Sequence, residues 1–175
     1  MEVKNIIACI CEGSAEQAIV ELLLENNMFF FKKEDLLDEK VIRVRSASKF
    51  ETNYLRKGFT EKITVLRILD SRKENFKLSK FYKDKVEVIN VITAPEIEML
   101  IICNENKYSA FKKSRKKPSD YCKQDLNFPN VKNYKFVINY FSDITILLNA
   151  IEQYCRKSNI PKNEKTLFSL LAKNN

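Results

Sequence analysis

The stretch Asn5-Ile6-Ile7-Ala8-Cys9-Ile10-Cys11-Glu12-Gly13-Ser14-Ala15-Glu16-Gln17 decides how the rest of the chain is read. An apolar run from Ile6 to Cys11 stops at an acid, Glu12, and then at Gly13, one of two glycines in 175 residues. Ser14, with Gln17 three positions on, has the form of a capping box, in which the Ser oxygen accepts from a first-turn N–H and the Gln reaches back to the cap. Beyond it Ala15, Ala18, Ile19, Leu22 and Leu23 recur at helical spacing. The pattern is a buried strand, a tight turn and a helix. Glu12 then stands at the carboxyl end of the strand, where open α/β sheets place their ligands.

Downstream, Asn26-Asn27 closes the helix and Met28 to Phe31 is a short apolar segment that packs the helix end on the sheet. After the charged connector 33–39, Lys40 to Val44 is expected as a second strand. Ser46 or Ser48 caps a helix carrying Phe50, Tyr54 and Leu55, closed by Gly58. Glu61 to Leu69 is Ile/Val/Leu-rich and reads as a third, central strand ending in Asp70-Ser71-Arg72. A lysine-rich helix is expected over Lys73 to Tyr82, then a fourth strand over Lys85 to Ile92. Pro95 with Glu96 and Glu98 marks the start of a helix to about Asn104. Lys107 to Lys117 is basic, and Pro118-Ser119-Asp120 starts a helix to Leu126. Lys132 to Tyr140 suits either strand or helix, and Phe136-Val137-Ile138 tip the reading to strand. Asp143 caps a long helix with Ile144, Leu147, Leu148, Ile151, Tyr154 and Cys155 on one side, and Lys165 to Leu171 is a small terminal helix.

The order β-α-β-α-β-α-β with crossover-length connections predicts an α/β fold. Its sheet is mostly parallel, of four strands or slightly more, between helices. Residues 1–95 form the core and 96–175 a mostly helical extension packed on it, all in one compact domain. A chain of this length buries roughly 70% of its unfolded surface and needs no staples.

Composition narrows the chemistry. With no histidine, His triads, imidazole bases and His-ligated metals are excluded, leaving carboxylates, lysines and tyrosines. The five cysteines lie in or beside apolar segments with no C-x-x-C pair, as expected of reduced core thiols in a cytoplasmic protein. No stretch approaches the roughly 18 apolar residues of a membrane span, and Met1-Glu2-Val3-Lys4 lacks a signal-peptide pattern. Two glycines cannot make a P-loop. A formal charge of +8 favours a polyanionic partner, nucleic acid above all; a base composition that loads proteins with lysine is the plain alternative.

Glu12 and Asp70 each close an apolar strand, so adjacent strands would set them side by side above the sheet. Carboxylates gathered there suit Mg²⁺ or Mn²⁺, ions that activate water and steady the leaving oxygen of a phosphodiester. Glu16, one turn beyond Glu12, can lean back to the same place, and Glu96, after the fourth strand, can complete the metal site. The plain alternative is that these acids cap helices and start loops. The run Lys112-Lys113-Ser114-Arg115-Lys116-Lys117, with Tyr108, Phe111 and Tyr121 near it, reads as a nucleic-acid track, cations on phosphates and rings on bases. A solvated helix face with its rings in the core is the competing reading.

Cys11-Glu12-Gly13-Ser14-Ala15-Glu16 resembles the opening of Toprim domains, the fold shared by topoisomerases, bacterial primases, small ribosomal-RNA maturases and nucleases of bacterial defence systems. Those domains carry a glutamate after the first strand and Asp-x-Asp after the third. Glu12 matches the first position and Asp70 the second, while Arg72 stands where the second aspartate belongs. Residues 3–95 carry the resemblance, and Ala94 to Leu100 with the lysines after it is similar to the C-terminal part of compact defence-associated members. The resemblance implies Glu12 as acid–base residue and Asp70 as metal ligand, with Arg72 able to hold a phosphate. It implies a Mg²⁺-dependent nuclease of a prokaryotic defence or nucleic-acid processing system, beside a partner ATPase or self-associated. The missing aspartate supports an alternative, a catalytically degenerate Toprim-like subunit that binds nucleic acid or a partner. A nucleotide or small-molecule binder using the same crevice is a third class.

Overall fold

The computed structural model describes residues 6–56, 58–70, 75–93, 97–161 and 163–172. Three parallel strands, β1 (Ile6–Cys11), β2 (Ile63–Leu69) and β3 (Val86–Ile92), lie in the order β1-β2-β3. Cys11 is opposite Ile68, and Leu69 opposite Ile92, so all three strands end at the same edge. The protein is thus α/β, with its parallel sheet flanked by helices.

The expected strand over Lys40–Val44 is reduced to one parallel bridge. Ile42 donates its N–H to the Cys9 carbonyl (2.8 Å) and accepts from the Cys11 N–H (3.0 Å). The alternation is strand-like, with Ile42 and Val44 buried and Arg43 and Arg45 exposed. The segment is too short for a ladder because the preceding stretch coils into 3₁₀ turns at Lys33–Asp35 and Leu37–Glu39. On the far edge, Ile92 donates to the Lys165 carbonyl (2.8 Å). Among the described residues, three strands replace the expected four, with isolated bridges to Leu36 and Ile42 beside β1 and one to Lys165 beside β3.

This path places a topological switch at β1. After β1 and α1 (Ser14–Glu25) the chain pairs Ile42 on one side of β1, then crosses to pair β2 on the other. The crossing element is α2 (Ala47–Phe50), widened into a π turn at Glu51–Leu55. Ser46 accepts from the Lys49 N–H, and Gly58 follows with φ +76°, a conformation that favours glycine. Ala8, Ile10, Ile63, Val65 and Val86 pack on Phe50 and Leu55 on this α2 face.

The opposite, α1 face carries the larger core, where Cys9, Cys11, Leu66, Ile68 and Val91 meet α1 and the later helices. These are α3 (Glu98–Asn104), α4 (Tyr108–Ser114), α5 (Pro118–Gln124), α6 (Tyr134–Tyr140), α7 (Ile144–Lys157) and α8 (Leu167–Leu170). All five cysteines are free thiols, four of them buried. Among the described residues no helix is long and apolar enough to cross a membrane.

Two further expectations are corrected. Lys132–Tyr140 is not a strand: Tyr134–Tyr140 is helical because the Asn133 side chain accepts from the N–H groups of Lys135 (2.9 Å) and Phe136 (3.3 Å). Its Phe136 and Tyr140 rings then stack one turn apart (5.7 Å). The lysine-rich helix over Lys73–Tyr82 is also absent from its described part. Residues 75–79 are irregular and extended, laying Phe76 and Leu78 into the α2 face, and only Lys80–Tyr82 make a 3₁₀ turn.

Candidate functional site

The turn after β1 differs from a Ser14 capping box. Gly13 is the N-cap of α1, Ser14 is its first residue, and the Ser14 hydroxyl donates instead to the Lys132 carbonyl (2.9 Å). Gln17 turns away to donate to Glu21 (2.8 Å). Glu16 therefore sits at the third helical position, where a carboxylate faces the unsatisfied N–H groups of the first turn. Its side chain folds back over Gly13 so closely that a β-carbon there would collide with the carboxylate. Gly13 has ordinary extended φ and ψ, so what its missing β-carbon supplies is room for the Glu16 carboxylate and not backbone freedom.

Around Glu16 lies a crevice of about 270 Å³ at the carboxyl ends of β1 and β2. Glu16, Asp70 and Glu98 bring carboxylates to it, and Arg43, Arg45 and Lys132 bring cations. Each arrives for a local reason. Asp70 is the residue after β2, two positions past Ile68, which pairs with Cys11. Arg43 and Arg45 alternate outward from buried Ile42 and Val44. Glu98 is in the first turn of α3, and its carboxylate, 1% exposed, meets the Lys132 ammonium at 3.3 Å. Burial raises the Glu16 carboxyl above the usual carboxylate range. Its own backbone N–H opposes that shift, Asp70 adds to it, and Lys132 and Arg43 oppose it.

Glu12 points elsewhere. By strand alternation it shares the α2 face with Ala8 and Ile10, and there it meets Arg67 in the middle of β2. The Arg67 guanidinium, 1% exposed, lies 2.9 Å from Glu12 Oε1, 3.4 Å from Asn90 Oδ1 and 4.5 Å from the centre of the Phe76 ring. Adjacent strands do bring Glu12 and Asp70 to one edge of the sheet, but on opposite faces. Glu12 is committed to Arg67, and Asp70 shares the crevice with Glu16. Arg72 and Glu96 lie outside the described residues.

The basic run spans two helices. Lys112 and Lys113 are in the last turn of α4, and Arg115 ends that helix in the left-handed conformation (φ +57°). Lys117 precedes Pro118 at the start of α5, and Lys116 pairs with Asp125 (2.6 Å). The cations are exposed, but the nearby rings are not open to a base. Phe111 packs edge-on against buried Tyr121 (5.4 Å), and Tyr108 donates to the Lys157 carbonyl (2.8 Å).

Arg43, Arg45 and Lys132 had no sequence signal as site residues. Lys132 is delivered by a loop more than a hundred positions from Ser14, which only the fold brings near. Among the described residues, no cluster of three or more Cys, Asp or Glu gathers tightly enough to hold a metal ion. Mg²⁺, however, is often held by one or two carboxylates with waters and phosphate oxygens, and Glu16 with Asp70 offers two. No family model matches this chain, and comparison with curated proteins and with solved structures gives no match.

Proposed function

We propose that this is a Toprim-like, Mg²⁺-dependent phosphodiesterase acting on nucleic acid, with its reacting centre at Glu16 and Asp70. One observation carries the reading. Three carboxylates, of which Glu16 and Asp70 interact, and three cations face one crevice at the carboxyl ends of parallel strands, beside a topological switch. Arg43, Arg45 and Lys132 bind and orient the phosphodiester by charge-assisted hydrogen bonds. Glu16 and Asp70 would hold the metal, which when bound supplies Lewis-acid polarisation of a phosphoryl oxygen. The exposed cations Lys112, Lys113, Arg115, Lys116 and Lys117 neutralise the flanking backbone. The setting that the resemblance implies is prokaryotic defence or nucleic-acid processing.

The test is cleavage of plasmid DNA and of single-stranded RNA with and without Mg²⁺. The wild-type protein cuts one of them, EDTA stops it, and Glu16→Gln and Asp70→Asn each lower the rate about a hundredfold or more. Cleavage that survives both substitutions overturns the assignment. A second reading is favoured by the buried Glu12–Arg67 pair, which removes from the crevice the residue that the resemblance makes the acid–base group. In that reading the protein is a catalytically degenerate subunit that binds nucleic acid or a partner. Tight, salt-sensitive binding with no cleavage under any metal identifies it.

A further inference from the structure

The rings beside the 112–117 run are turned inward, but a ring is held out to solvent at the other end of the sheet. Phe81, in the 3₁₀ turn before β3, is 77% exposed, the most exposed large apolar side chain among the described residues. It is not loose: its ring stands edge-on to Tyr82 (5.0 Å), Tyr82 stacks on Phe59 (6.3 Å), and the Lys85 ammonium lies 6.0 Å above Phe59. Phe59 and Tyr82 are in turn packed on the α2-face core. A packed aromatic base therefore presents a bare aromatic ring.

Lysines surround it. Lys80 and Lys83 flank the ring in sequence, and Lys62, Lys83 and Lys85 line a groove of about 230 Å³ at the amino ends of β2 and β3. All four are exposed, and among the described residues no acid is ion-paired to any of them. Glu87 follows Val86, whose side chain enters the α2-face core, so by strand alternation it lines the groove from the α1 face. Glu61 opens onto the β1 edge beside Glu34 and Asp38. Asp84 and Glu87 share the groove with the three lysines, which leaves the cations in excess.

We propose that Phe81 and these lysines form a binding platform for single-stranded nucleic acid, with an unpaired base stacked on Phe81 and the adjoining phosphates on Lys62, Lys80, Lys83 and Lys85. A stacking ring needs a base released from a duplex, and the lysine spacing supplies the backbone charge. The platform is roughly 20 Å from the crevice, the length of a seven-residue strand. It rests on the nucleic-acid reading above and adds the strandedness of the ligand and a second contact site.

The experiment measures anisotropy of a labelled oligothymidylate of about 16 nucleotides, in EDTA so that no cleavage intervenes. Phe81→Ala weakens binding between about 5- and 150-fold with an unchanged melting temperature, since the ring is exposed. Lys80→Ala with Lys83→Ala lowers the salt slope by about 0.7 for each phosphate that is no longer neutralised. Phe81→Trp introduces the sole tryptophan of the chain; it keeps the affinity, and its fluorescence is quenched by the single strand and not by a duplex of equal length. No binding by the wild-type protein, affinity unchanged in Phe81→Ala, or an unquenched tryptophan overturns the platform. The two proposals fail separately. Phe81-dependent binding without cleavage by wild type removes the enzyme alone, and crevice-dependent cleavage with Phe81-independent binding removes the platform alone.

Discussion

A guanidinium in the middle of a buried strand is costly unless its charge is met. Among the described residues Arg67 is met by Glu12, Asn90 and the face of Phe76. Breaking a buried ion pair by removing one member is strongly destabilising, so Arg67→Leu is expected to cost about 3–5 kcal/mol. Arg67→Met combined with Glu12→Leu recovers most of that loss. Urea denaturation of the three proteins checks this, and a double variant no more stable than Arg67→Leu would contradict it. Glu16 makes a prediction of opposite sign. Its folded carboxyl is raised by burial, so the folded chain holds the proton more readily than the unfolded chain. Its contribution is complete below the unfolded value and is lost as pH rises through the raised one. Glu16→Gln therefore melts higher than wild type at neutral pH, and the gap closes toward about pH 4, near the ordinary glutamate value. Melting curves across that range decide it; a variant that is less stable at neutrality, with no pH trend, would contradict the burial account.

At the scale of elements, helix starts explain both what was legible and what was not. Asp143 was readable as the cap of α7, and it accepts from the Thr145 N–H (2.9 Å) and hydroxyl (2.7 Å), contacts that hold its carboxyl below the usual range. A depressed carboxyl stabilises above its unfolded value and stops doing so as pH falls through the folded one. Asp143→Ala accordingly lowers the melting temperature at neutral pH and loses its effect in acid, whereas Asp143→Asn keeps the cap and loses the pH trend. Asn133 carries the same kind of signal before α6, but Phe136-Val137-Ile138 matches strand propensity as well as a helix, and a seven-residue segment is too short for periodicity to decide. The strand β1, its glycine turn and α1 were plain because the pattern changes period at one glycine. The shift of the cap from Ser14 to Gly13 was not, because it depends on the Lys132 carbonyl that takes the Ser14 hydroxyl. That shift moves Glu16, and not Glu12, over the crevice. Gly13→Ala must displace the Glu16 carboxylate.

For the molecule as a whole, the parallel α/β layout followed from strands spaced by crossovers, but the number of strands did not, because Ile42 pairs through one bridge only. The helices after β3 are no separable appendage. Leu66, Ile68 and Val91 of the sheet share one core with Met99, Ile101, Val137 and Leu147. A fragment ending at residue 95 would expose that side of the sheet, so it is expected to lack a cooperative melting transition by circular dichroism; a sharp transition would show that the strands and α1 suffice. The same packing brings Glu98 and Lys132, far along the chain, to the crevice. The most direct measurement is a crystal soaked in Mn²⁺ and read by anomalous scattering. The account predicts a peak between the Glu16 and Asp70 carboxylates, with Glu12 still on Arg67. An empty crevice, or an ion that draws Glu12 off Arg67, would contradict it.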